Sequence, residues 1–360
     1  MKRLILILAI ILLILSAYIL YDNRFNPAIY NLINGIYKKE ITLSPPGAFD
    51  ADNAGASAEY KGGLIYYSPR GGLYSTGGWH DGIYLSNPRI SASGNYLLAF
   101  DGGASKLALY NNYNKAIELD DSGTIINARV NSAGFLALMT KEPGYRGKVT
   151  VYNNRGNELY AVFSGEKYIV DADISPDGRR LIVCMLDAAG DKLVNNILIY
   201  KIGEREPVKT LSYEDIMFFC VKYNRDGSVI LIGDKSAVGL NGDGVKKWEY
   251  QYEGTLQTYS ISGNNSVALG LRQREQKIVI LYSNGTAYTY SDSKMDLKAV
   301  DINQNGVVAV SVRSVLFLDK KGFYIKEREV SSDIKNLHIS GNKMEAFLIY
   351  RGSYQKINLK

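Results

Sequence analysis

The chain has 360 residues, 46% of them hydrophobic and 22% charged, a composition that can bury a large core and excludes a disordered polymer. Its 28 tyrosines and 35 glycines point to many β-strands joined by tight turns, because aromatic side chains suit pleated surfaces and glycine reaches positive φ freely. The net charge is +6, and beyond Lys2 and Arg3 the balance is 40 basic to 36 acidic residues, a scattered +4; no nucleic-acid partner is expected.

The chain opens with MKR, read as a cytoplasmic tail over residues 1–3, followed by an uncharged apolar run from Leu4 to Tyr21. As a helix this run rises about 27 Å, close to the hydrocarbon thickness of about 30 Å. It is long for a signal peptide, and no A-x-A-like cleavage site follows it convincingly. Residues 4–21 therefore read as an uncleaved transmembrane helix. Lys2 and Arg3 hold the tail inside, which puts the rest of the chain outside the cytoplasm. The expected location is the cell membrane, single-pass, with the C-terminal domain extracytoplasmic.

Residues 22–59 read as a juxtamembrane segment and connection. Phe25, Ile29, Leu32, Ile33 and Ile36 fall roughly on one helical face, while LSPPGAFDADNAGASAEYKGG, beginning at Leu43, is rich in turn formers and opposes regular structure.

From about Tyr60 to Lys360 a repeat dominates. ISASGNYLLAF begins at Ile90, VNSAGFLALMT at Val130, ISPDGRRLIVC at Ile174, YNRDGSVILIG at Tyr223, ISGNNSVALGL at Ile261, INQNGVVAVSV at Ile302 and ISGNKMEAFLI at Ile339. Aligned on Gly94, Gly134, Gly178, Gly227, Asn265, Gly306 and Lys343, the spacing averages about 41 residues, the length of a four-stranded propeller blade. Gly or Asn supplies the left-handed dihedral of a short hairpin, and Lys343 fits that role less well. Each copy is followed by a second strand, turn, strand unit, such as VTVYNNRGNELYAVF from Val149.

Two hairpins per repeat make an all-β propeller of four-stranded antiparallel blades. Seven inner turns predict seven blades. Eight are allowed if residues 40–60 supply a degenerate inner hairpin to GLIYYSPRGGLYSTG, residues 63–77, read as an outer one. The truncated C-terminus predicts that one chain end pairs with the other to complete a mixed blade and leave no open edge.

ISPDGRRLIV resembles the repeat of TolB-type propellers, and NGDGVKKWEY at residues 241–250 is similar to the outer hairpin of quinoprotein (PQQ)-like repeats. The chain thus resembles the WD40-like and PQQ-like propeller superfamilies, and its single anchor resembles uncharacterised membrane-bound propellers of Gram-positive bacteria. The resemblance implies architecture and no particular reaction. Quinoprotein dehydrogenases carry an aromatic platform and often an adjacent-cysteine disulfide. Here there are two tryptophans, and Cys184 and Cys220 lie 36 residues apart, so no cofactor is expected.

Catalytic signals are sparse. His80 sits in GGWHDG beside Trp79 and Asp81, and His338 lies on a strand entering the last repeat. Two distant histidines make no recognisable zinc motif. Asp173, Asp177 and Asp226 lack the spacing of a twelve-residue calcium loop, and no metal site is expected. Cys184 and Cys220 read as buried thiols on neighbouring strands, although an extracytoplasmic compartment permits a disulfide. The expected function is a membrane-tethered binding or scaffold propeller, with an envelope protein or polymer as its partner. Candidate contacts are Trp79, His80, Tyr145, Arg146, Arg272 and Arg274. The alternative is an enzyme acting on a glycan or other envelope substrate at the central pocket, which requires converging acid and base groups there.

Overall fold

A computed structural model describes residues 41–44, 47–48, 56–68, 72–120, 123–188, 192–293, 295–341 and 344–359. The apolar run, the juxtamembrane helical face and Lys343 lie outside the described residues. No helix among the described residues is long and apolar enough to cross a membrane.

The described chain forms eight antiparallel sheets arranged as a propeller, the larger of the two blade counts the sequence allows. We number the blades in chain order: blade 1 over residues 57–81, blade 2 over 88–120, blade 3 over 125–164, blade 4 over 168–214, blade 5 over 218–251, blade 6 over 255–292 and blade 7 over 299–329. Blade 8 combines residues 336–359 with the N-terminal strands Ile41–Leu43 and Gly47–Ala48. Ile41 pairs with Leu359 and Gly47 with Tyr354, so the two chain ends close the ring as expected.

Seven was an undercount, and blade 1 shows why. Its inner hairpin joins Ser57–Tyr60 to Gly63–Tyr67 through Lys61 and Gly62, both at positive φ, in place of an S-x-D-G-like turn. Gly63–Tyr67 then pairs with Leu73–Ser75 as second and third strands. Residues 63–77 are therefore not an outer hairpin, and the ring draws on strands before Tyr60.

The burial pattern explains the sequence pattern. Second strands such as Tyr96–Asp101, Val229–Gly233 and Gly306–Val310 are buried at every position because neighbouring blades cover both faces. They consequently read as continuous apolar runs. Outermost strands are wetted on one side, and Lys209–Glu214 and Ala287–Asp292 alternate with period two. Hydrophobic clusters lie between successive sheets. Ala172, Ile174 and Val183 of blade 4 pack against Met139 and Val151 of blade 3, whereas Ile182 and Ile197 of blade 4 pack against Val221 and Leu231 of blade 5.

The inner turns need their glycines where neighbours crowd them. Gly178 has φ +71, and a Cβ there would lie 2.6 Å from the Phe135 ring. Antiparallel order puts all the inner turns at one end of the ring, called here the mouth end, together with the turns between third and fourth strands. The turns between second and third strands lie at the opposite end.

Candidate functional site at the channel mouth

On each innermost strand, the side chains alternate between the core shared with one neighbouring blade and the other side. In blades 3 to 8 the position two residues before the start of the inner turn holds Arg129, Asp173, Lys222, Ser260, Asp301 and His338, and in blade 2 it holds Ser91. Their neighbours, such as Val130, Ile174, Val221 and Ile302, enter the apolar clusters. In blade 1 the corresponding residue is Ala58, and Glu59 beside it reaches the same space. The result is a polar cavity of about 510 Å³ lined by residues of all eight blades. That volume lies within the usual range for small-ligand sites, about 300–1,000 Å³.

Hydrogen bonds between blades hold this ring in place. Asp173 accepts from its neighbour Ile174 N at 2.9 Å and from Tyr223 N of blade 5 at 2.8 Å. Asp301 repeats the arrangement three blades on, accepting from Ile302 N at 2.9 Å and Ile339 N of blade 8 at 2.7 Å, with Ser260 Oγ donating at 2.5 Å. Two residues before Asp173, Asp171 accepts from Val221 N at 3.0 Å, from Asn127 Nδ2 at 3.1 Å, and from Arg129 Nη2 at 2.8 Å and Nε at 3.3 Å. One carboxylate thus joins blades 3, 4 and 5. Closure is polar as well, since His338 Nε2 lies 2.9 Å from Ser57 Oγ of blade 1.

Burial shifts the titrations of these groups. It pushes Asp173 up to about 6, against the pull of Arg129, two backbone amides and Lys222. Burial and the nearby Arg129 hold Lys222 below the ordinary lysine value, and burial keeps His338 below the ordinary histidine value. Glu59 is raised by burial and further by Asp301. Arg129 is depressed by burial, but Asp171 outweighs this and its pKa stays above the ordinary arginine value. Asp173 and Asp301 spend both carboxylate oxygens on backbone amides, which favours a positioning role over general acid–base work. Among the described residues, no group of three or more His, Cys, Asp or Glu side chains is placed to hold a metal.

The residues singled out from sequence lie elsewhere and apart from one another. Trp79 is at the mouth end but on the outer rim, where its ring meets Tyr110 and Tyr113 of blade 2 at centroid distances of 5.2 and 5.3 Å. His80 is exposed on the outermost strand of blade 1, its ring 4.4 Å from that of Tyr74. Tyr145 and Arg146 are at the opposite end, in blade 3. Tyr145 meets Phe163 at 5.1 Å, and Arg146 donates to Tyr168 Oη at 3.0 Å while lying 5.0 Å from that ring's centre. Arg272 and Arg274 are exposed at that same end in blade 6, three blades away. Cys184 and Cys220 are free and buried. Cys184 Sγ donates to Phe218 O and accepts from Asn195 Nδ2, each at 3.3 Å.

The channel ring escaped sequence reading because its members are chemically different and about 41 residues apart. A signal was nonetheless present: a polar residue recurs two positions before the inner turn in seven repeats whose strands are otherwise largely apolar.

Solved structures with the same architecture cover nearly the whole described chain. The C-terminal WD40 domain of Sif2 is similar at 13% identity and TM-score 0.64, covering 89% of this chain and 99% of that domain. BamB from Moraxella catarrhalis is similar at 13% identity and TM-score 0.57, covering 89% and 98%. The computationally designed Ika8 protein is similar at 9% identity and TM-score 0.61, covering 87% and 98%. These likenesses establish a WD40-like, BamB-like propeller fold and nothing about chemistry. No curated protein matches the sequence. The family assignment is direct: with residues 44–359 matched, the chain belongs to the DUF5711 family, a family of unknown function.

Proposed function

We propose that the chain is a single-pass, membrane-tethered propeller whose ring lies outside the cytoplasm and works as a binding module for an envelope protein or polymer. The apolar run at residues 4–21 and the preceding Lys2 and Arg3 support the tether and its orientation. Ile41 pairs with Leu359 at the mouth end of blade 8, so the chain enters the ring there. The opposite end is free of that connection.

The observation that carries the binding reading lies at this opposite end. Tyr145, Phe163 and Tyr168 are each close to half exposed, and they are arranged around Arg146, with Lys148 Nζ 5.1 Å from the Phe163 ring centre. Rigid aromatic side chains with an arginine are the composition of interface hot spots, and the blade scaffold holds their loops in place. Leu193 and Met217 extend exposed apolar surface at the same end of blades 4 and 5.

A photoactivatable residue at Tyr145, compared with one at exposed Val208 on the mouth end, tests the reading in intact cells. It predicts a discrete adduct from position 145 that Arg146→Glu abolishes. No adduct, or the same adducts from both positions, contradicts it.

A further inference from the structure

The eight-blade count places unlike charges across the channel from one another. Four blades separate diametrically opposed positions, so Lys222 of blade 5 faces Glu59 of blade 1, and Arg129 of blade 3 faces Asp301 of blade 7. One side of the mouth carries the cations Arg129 and Lys222, with Asp173 between them, and the facing side carries Asp301 and Glu59, all lining one cavity.

Among the described residues, one charge in each arc stands without an ion-pair partner: Lys222 in the first, where Arg129 is paired with Asp171, and Glu59 in the second. The hydrogen bond from Lys222 Nζ is a long one, 3.5 Å to Ile261 O, and an ammonium has three donors to place. Among the described residues no carboxylate lies within ion-pair distance of it, because Asp173 is turned to backbone amides. Glu59 accepts from Gly62 N through Oε1 at 2.6 Å and has no cationic partner at ion-pair distance among the described residues. The titration shifts agree with the geometry: Lys222 is disfavoured as a cation by burial and Arg129, and Glu59 as an anion by burial and Asp301. Among the described residues neither Lys222 nor Glu59 has an opposite charge at ion-pair distance, although Asp173 and Asp301 act on Lys222 from further away, and partly buried charges without close partners are costly.

We propose that the channel mouth binds a small zwitterion, its carboxylate seated by Lys222 and Arg129 and its ammonium by Glu59 and Asp301. This is the chemistry of a free amino acid or a short unblocked peptide. A ligand with one charge satisfies one arc and leaves the other as it was, whereas a zwitterion serves both. The serine and asparagine side chains of the inner turns, among them Ser132, Asn264 and Asn303, add neutral donors and acceptors around it. The inference goes beyond the tethered binding reading and stands on residues at the other end of the ring.

The test is calorimetric titration of the purified full-length protein with free amino acids and with dialanine, each repeated with the amine acetylated and with the carboxylate amidated. At least one zwitterion should bind saturably at millimolar concentration or below. Blocking either end should weaken it at least tenfold, about 1.4 kcal/mol. Lys222→Met should erase the penalty for amidation alone, Glu59→Gln the penalty for acetylation alone, and Lys222→Arg should keep both. Absence of saturable binding by every member overturns the proposal, as does binding indifferent to the blocked ends. The blocked ligands act on unaltered protein, so these two results decide the matter even where a variant fails to fold. Cross-linking from Tyr145 reads the opposite end, and its outcome is separate from this one.

Discussion

Asp171→Ala removes the carboxylate that joins three blades. The side chain is 1% exposed and its partner Arg129 is 28% exposed. The substitution strands the Arg129 guanidinium, the Asn127 amide and the Val221 N–H, each of which now bonds to Asp171. Breaking one partner of a buried pair costs about 3–5 kcal/mol. Residual hydration of Arg129 favours the lower end, about 3 kcal/mol. For a ring of this size, roughly 2 °C of Tm per kcal/mol gives a fall of about 6 °C. Urea and thermal unfolding of the full-length protein read the loss. A second variant separates pair from packing: Asp171→Leu with Arg129→Met removes both charges and should recover most of the stability, a coupling of about 2 kcal/mol. A single variant within about 0.5 kcal/mol of the parent, or a double variant whose loss equals the sum of the two singles, refutes the reasoning.

Further expectations follow from the same geometry. Asp173 has a raised folded-state pKa, so the folded state holds its proton where the unfolded state has released it, and this group's contribution to stability falls as pH rises from the ordinary carboxylate range to about 6. Asp173→Asn should remove that decline from the stability profile; an unchanged slope counts against the shift. Gly178→Ala should destabilise by about 2–3 kcal/mol through its φ of +71 and the Phe135 contact, whereas Gly227→Ala, at φ +80 in open space, should cost only about 1–2 kcal/mol in unfolding assays. Equal losses would mean that the Phe135 clash is relieved. Cys184 and Cys220 should resist a polar thiol reagent until the protein unfolds, because burial raises both thiol pKa values and covers both sulfurs. Rapid reaction of the native protein contradicts that placement.

How far the sequence reveals this molecule depends on what each position needs. Inner turns were legible because a left-handed residue at Gly94, Gly134, Gly178, Gly227 and Asn265 leaves a visible residue choice. The blade around Lys61 and Gly62 is legible only as an allowed eighth, since its two-residue turn shares no motif with the others. The closing strands at Ile41–Leu43 and Gly47–Ala48 are too short to show periodicity, and they derive their order from pairing with residues 353–359. The candidate site was harder still. Arg129, Lys222, Asp301 and Glu59 come to line one cavity only when eight blades close, and their roles follow from that convergence. Tyr145 and Arg146 were visible in KEPGYRGK, but Phe163 and Tyr168, which complete the patch, come from strands about twenty residues later.

Display of the ring outside the cytoplasm is the central claim, and site-specific labelling tests it most directly. Ser283 is exposed in a mouth-end turn of blade 6, where its backbone carbonyl accepts from Trp248 Nε1 at 2.9 Å. With Cys184 and Cys220 replaced and folding verified, Ser283→Cys in intact cells is exposed to a membrane-impermeant thiol reagent. An outward-facing ring predicts labelling before the membrane is permeabilised. Labelling only afterwards contradicts it.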